Sequence, residues 1–99
     1  MIQPISTKLV VPAGATVVAA LHKDERFTKT TVSVRVGTVG VLSFRAKPLH
    51  GQFETPEAPN TIDMAVRKSI YFDGVALEEL EVTNPGAQVV TLVIGQTAA

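Results

Sequence analysis

Apolar and polar residues alternate along most of this chain. Thr31-Val32-Ser33-Val34-Arg35-Val36 puts three valines on one face of an extended segment, and Val41-Leu42-Ser43-Phe44-Arg45-Ala46 does the same with Leu42, Phe44 and Ala46. Leu80 and Val82 alternate with Glu79, Glu81 and Thr83, and Val90, Leu92 and Ile94 form a matching set. Successive side chains on a strand point to opposite faces, so this period of two marks half-buried β-structure. Turn residues interrupt it at Pro12-Ala13-Gly14, Gly37 with Gly40, Asp73-Gly74 and Asn84-Pro85-Gly86. The pattern predicts strands near 5–11, 15–22, 30–37, 40–46, 62–71, 78–83 and 88–94. Short strands at that spacing imply an all-β fold: a single antiparallel β-sandwich or jelly-roll-like barrel of about seven to eight strands. Residues 1–99 make one domain.

Register predicts two hairpins. Val34 opposite Leu42 and Val32 opposite Phe44 would put both apolar sets on one core, across Gly37-Thr38-Val39, with Gly37 and Gly40 free to take positive φ. Val82 opposite Val90 would leave Pro85-Gly86-Ala87 as the second loop, with Gly86 at positive φ. Segment 47–61 carries three prolines and no period. It reads as a crossover between two sheets of a Greek key or as a functional loop.

Some strands are apolar on both faces: Leu9-Val10-Val11, Val17-Val18-Ala19-Ala20-Leu21 and Val89-Val90-Thr91-Leu92-Val93-Ile94. A two-layer sandwich has only one buried face per strand. An apolar outer face implies a protein partner or a second copy. The contact surface is expected to include Val89, Val93 and Phe53.

Composition sharpens the picture. Val, Ile and Thr supply 31 of the 99 residues, and β-branched side chains fit a pleated sheet. A chain this long folds to roughly 5,400 Å² of surface, enough burial for one core and little room for an enclosed cleft. Nine basic and nine acidic residues give zero formal charge. No basic excess neutralises phosphates, so neither nucleic acid nor an anionic membrane is an expected partner. There is no cysteine, hence no disulfide and no thiolate site. No signal-peptide pattern and no run of 18 apolar residues is read, which predicts folding in the cytosol.

Candidate chemistry is sparse. The two histidines, His22 and His50, lie in a charged turn and a proline-rich loop, with no nucleophile motif beside either. Glu78 and Glu79, as strand neighbours, are expected to face opposite ways, while Glu79 and Glu81 share a solvated face. No His or carboxylate spacing suits a metal, and no glycine-rich phosphate loop precedes a helix. No enzyme activity, cofactor or metal is expected. Among the aromatics, Phe44 and one of Tyr71 or Phe72 are assigned to the core, and Phe27 is expected beneath its own loop.

The stretch from Gly74 through Leu80-Glu81-Val82-Thr83-Asn84-Pro85-Gly86 to Ile94-Gly95 resembles the ending of many small structural proteins of tailed bacteriophages. Leu9-Val10-Val11-Pro12-Ala13-Gly14-Ala15-Thr16-Val17 is similar to their first hairpin, and 62–72 to the strand before their last one. Segments 23–31 and 47–61 have no counterpart in that pattern. The resemblance implies a β-sandwich or jelly-roll component of a virion, such as a capsid decoration, head fibre or tail part. Its partners would be capsid or tail proteins and further copies of itself, a trimer among the options. It would be made in the host cytoplasm and reside in the virion. No catalytic residue comes with the family. The competing expectation is a carbohydrate- or ligand-binding β-sandwich module.

Overall fold

The computed structural model describes residues 3–37, 40–55 and 60–98. Eight strands follow in order: β1 Ile5–Val11, β2 Thr16–Ala20, β3 Lys29–Val36, β4 Val41–Pro48, β5 Thr61–Asp63, β6 Ser69–Asp73, β7 Leu77–Thr83 and β8 Val90–Thr97. They form two four-stranded antiparallel sheets. One has the order β1-β8-β3-β6 and is called here the β8 sheet; the other, β2-β7-β4-β5, is the β7 sheet. The fold is a small β-sandwich, and its surface of 5626 Å² matches the value expected from chain length.

The chain changes sheet at every connection except β4 to β5, a jelly-roll-like winding. Neither predicted hairpin forms. β3 pairs with β8 and β6 while β4 pairs with β7 and β5, so Val34 and Leu42 meet across the core instead of side by side. Val82 is paired with Val17 and Phe44, and Val90 with Val11. The inward faces are those the period predicted except at Val36: Val32, Val34, Leu42, Phe44, Leu80, Val82, Val90, Leu92 and Ile94 are all buried, while a bulge after Val34 turns Val36 out, 58% exposed. A period of two fixes which way a side chain points, but two inward sets are served equally by pairing in one sheet or facing across two. Gly37 and Gly40 do take positive φ, and a Cβ at Gly37 would stand 3.1 Å from the Met64 sulfur. The rest of that predicted loop, residues 38–39, lies outside the described residues.

The predicted strand 62–71 is two strands in different sheets. Asp63 makes the break: its carboxylate accepts from Ala65 N at 3.1 Å, and its carbonyl from Val66 N and Arg67 N at 2.9 and 2.7 Å. Ile62, Met64, Ile70 and Phe72 keep one parity across the turn, which disguises it in the sequence. Segment 47–61 does not cross between sheets. Lys47 and Pro48 finish β4, the chain returns to the same sheet as β5, and Glu54 bridges to Ala46 on the way. Residues 56–59 lie outside the described residues.

Two buried amides tie the crossings down. Asn84 Nδ2 donates to the carbonyls of Val11, Pro12 and Gln88 at 3.2, 3.3 and 2.7 Å, and its Oδ1 accepts from Gly86 N at 3.1 Å. That side-chain turn replaces the positive φ expected at Gly86. Gln96 Oε1 accepts from His22 N at 2.9 Å while its Nε2 donates to His22 O at 3.1 Å, anchoring the segment after β2. Asn84→Ala leaves buried backbone groups unpaired and is expected to cost about 2–4 kcal/mol. Asn84→Asp, which points a carboxylate at three carbonyls, should cost at least as much. Urea denaturation at pH 7 checks both.

Candidate interaction surface

The two outer faces differ in character. On the β7 sheet, charge is matched across strands. Arg45 is opposite Glu81 with an Nη1–Oε1 distance of 3.5 Å, and Lys47 is opposite Glu79 at 3.9 Å. Lys47 also pairs with Glu78, whose other oxygen lies 3.1 Å from Lys23. Glu78 and Glu79 therefore do not point to opposite faces as a regular strand would require. The register slips between Lys47 and Pro48, and the extra residue brings both carboxylates to one ammonium. Next to this ladder runs a row of hydroxyls, Thr16-Thr83-Ser43-Thr61, with Thr16 and Thr83 3.0 Å apart.

The β8 sheet presents mainly uncharged groups. Its registers give rows Ser6-Gly95-Thr31-Tyr71, Lys8-Val93-Ser33-Ser69 and Val10-Thr91-Val36. Val10, Val36 and Tyr71 are each at least half exposed. Lys29 stands over the Tyr71 ring at 5.2 Å. Gly95 occupies the middle of the central strand without need: its φ is ordinary, and a Cβ there would meet nothing nearer than Thr31 O at 4.0 Å. Glycine weakens a strand, and in such a place it marks a close approach of something to the backbone.

The edges differ too. Leu21 N donates to Glu78 O and Asn84 N to Ala15 O, so odd residues of β2 bond to β7. Alternation leaves the N–H and C=O of Thr16, Val18 and Ala20 on the open side. The same counting from Val34 N donating to Lys68 O leaves Ser69, Tyr71 and Asp73 free on β6, and Ser6, Lys8 and Val10 on β1. β5 is three residues long and ends in Asp63. Charge or brevity guards three edges in the way natural sheets avoid stray pairing. β2, Thr-Val-Val-Ala-Ala, has neither, and Thr16, Val18 and Ala20 are exposed.

The three predicted contact residues do not share one surface. Val93 is half-buried on the outer face of the β8 sheet, and Val89, 50% exposed, precedes β8. Phe53 lies on the other side of the molecule, its ring 5.7 Å from the Arg45 guanidinium. Phe27 is buried, edge-on to the exposed His22 ring at 5.5 Å. Phe44 and Phe72 are the core pair, 6.4 Å apart, and Tyr71 is the exposed one. Among the described residues no group of three or more His, Asp or Glu side chains is arranged to hold a metal. Sequence reasoning missed Gly95 and the unguarded β2; both were readable only once register and sheet order were known.

This architecture places the chain among small two-sheet β-sandwich proteins. It is similar in structure to the prophage-derived protein YomS of SPBc2, with a TM-score of 0.51 and 16% identity over 98% of this chain and 97% of that one. It also aligns with a subunit of Bacillus endospore appendages, described as disulfide-linked pili, with a TM-score of 0.48 and 12% identity over 97% and 89% of the two chains. No family model and no curated protein matches the sequence. At these identities the likeness defines the fold.

The charged groups carry a pH signature. Hydrogen bonds from Lys47 and then Lys23 hold the Glu78 carboxyl below its ordinary value. The Arg26 guanidinium and backbone N–H hold Asp24 down at about 2. Both folded values lie below the unfolded ones, so this stabilisation is complete above the ordinary carboxylate range and disappears as pH falls through the folded values. Urea midpoints should be flat from about pH 7 to 5 and fall below about pH 4. The fall should be smaller in Glu78→Gln; an equal fall in the variant would assign it to other carboxylates.

Proposed function

We propose that this chain is a non-enzymatic structural protein of a tailed-phage virion, a capsid decoration or other accessory component, acting through protein–protein contact. The observation that carries this reading is the contrast between the two sheets. One outer face neutralises its own charges, while the other exposes Val10, Val36 and Tyr71, with half-buried Val93 between them, around an unneeded glycine. That face, whose charges Lys8 and Lys29 lie on its outer parts, is the contact surface for a capsid or tail protein. The prophage origin of YomS, similar to this chain in fold, supports the viral setting. Assembly in the host cytoplasm and residence in the virion follow from it.

Self-association belongs to the same proposal. The open edge of β2 offers three residues' worth of unpaired backbone groups with no charge to repel a neighbouring strand. Copies held together this way would bind a repetitive particle by avidity. A second reading, a carbohydrate- or ligand-binding module, has one feature in its favour: the exposed Tyr71 ring in the same cross-strand row as its neighbour Thr31. One exposed ring makes a narrow platform for a sugar, and a glycan screen addresses it directly.

Light scattering after size exclusion is expected to give an oligomer whose mass is steady across a concentration series, a trimer among the options. Val18→Lys places a charge at the centre of the open edge and should lower that mass to a monomer without unfolding the protein. The wild-type protein should also rebind particles that lack it. A wild-type monomer that fails to bind such particles would overturn the proposal.

A further inference from the structure

One opening between the sheets is built unlike the rest of the surface. It lies at the end of β4, a cavity of about 150 Å³ lined by Ala46, Pro48, Glu54, Phe72, Val75 and Leu77. Both sheets supply its walls: Ala46 and Pro48 of β4 with Leu77 of β7 on one side, Phe72 of β6 with Val75 of the following turn on the other. Ala46, Phe72 and Leu77 are buried, while Val75, 41% exposed, stands at the rim. Ligand clefts for small molecules run to roughly 300–1,000 Å³. This one has room for a single side chain, between walls that give water few hydrogen-bonding partners.

The one charged lining group is placed by backbone hydrogen bonds. Ala46 N donates to Glu54 O and Glu54 N to Ala46 O, both at 2.9 Å. Residues directly opposite in an antiparallel pair project to the same side. Ala46 faces inward, so the Glu54 side chain leaves its bridge on the same side and, exposed to solvent, lines the mouth of the cavity, while its neighbour Phe53 is turned outward over Arg45. All the lysines and arginines of the chain are among the described residues, and none forms an ion pair with Glu54. The carboxylates that β7 sets beside Arg45 and Lys47, namely Glu78, Glu79 and Glu81, each have a cation. Glu54 is thus an unmatched anion at the lip of an apolar slot.

We propose that the slot receives a lysine side chain from a partner protein, with the aliphatic stem against Phe72, Val75, Leu77 and Pro48 and the ammonium on Glu54. A long apolar stem with a charged head is the group that satisfies both parts at once. A purely apolar side chain would leave the carboxylate crowded and unpaired, and an acidic one is repelled. This goes beyond the virion reading and stands apart from it: it names the chemistry of one contact, whatever the particle.

The test is a titration of the ¹⁵N-labelled full chain with Nα-acetyl-lysine methylamide and with its norleucine counterpart, to concentrations on the order of tens of millimolar. The lysine probe should give saturable shifts confined to residues 46–54 and 72–77. The norleucine probe should bind about threefold more weakly, the order of one exposed ion pair. Glu54→Gln should bring the lysine probe to the norleucine level while the spectrum remains that of the folded protein. Val75→Trp, which fills the mouth from an exposed position, should abolish binding of both. The proposal is overturned if the lysine probe gives no saturable shift at these residues. It is equally overturned if the wild type binds the two probes alike, or if Glu54→Gln holds lysine as tightly as the wild type. A failed titration would leave self-association and particle binding untouched, so the two proposals fall separately.

Discussion

The sandwich depends on closing its own connections. Because consecutive strands lie in opposite sheets, nearly every loop must pass over an end of the core, where the backbone has no ladder to bond to. Buried polar groups without partners are costly, so the fold requires a substitute for the missing strand. Asn84 and Gln96 provide it. The first joins the β1–β2 turn to the β7–β8 turn; the second fixes the backbone at His22 with a matched pair of bonds. With the crossings held, the inward valines, leucines and isoleucines of the two sheets pack as one core.

The same winding explains what the sequence disclosed. Period two located the strands and gave their inward faces, because that information is local. Pairing partners are not local here. Val32 and Val34 needed an apolar surface opposite, and Leu42 and Phe44 meet that need from across the core as well as they would from the next strand. Short glycine-bearing loops suited either arrangement. The division of 62–71 was concealed by unbroken parity, and only the Asp63 turn betrays it. Chemistry followed the same rule: the exposed positions of His22 and His50 were readable, whereas the bulge that draws Glu78 and Glu79 onto Lys47 depends on a register no single strand encodes.

Charge is distributed so as to leave one side of the molecule reactive in the mechanical sense. Ion pairs on the β7 sheet lie at the surface with their carboxylates half-buried, and surface pairs add little to stability. Their main effect is to make that face self-sufficient. The β8 sheet lacks such pairing across its middle rows, and the adjoining β2 edge lacks a guard. Glu54, bridged to Ala46, stands apart from the paired carboxylates of β7: it has no counter-ion.

The position of β8 has a consequence for biosynthesis. It is the eighth strand to emerge from the ribosome, yet it sits between β1 and β3 and completes the hydrogen bonding of both. Until it arrives, β1 has no neighbour in its sheet, and Val11 of β1 and the inward valines Val32 and Val34 of β3 have no finished layer to join. Folding therefore waits on contacts of long sequence separation, the slow and aggregation-exposed regime of β topologies. The yield of folded chain is then set by how well the nascent chain is kept apart from its neighbours during that interval.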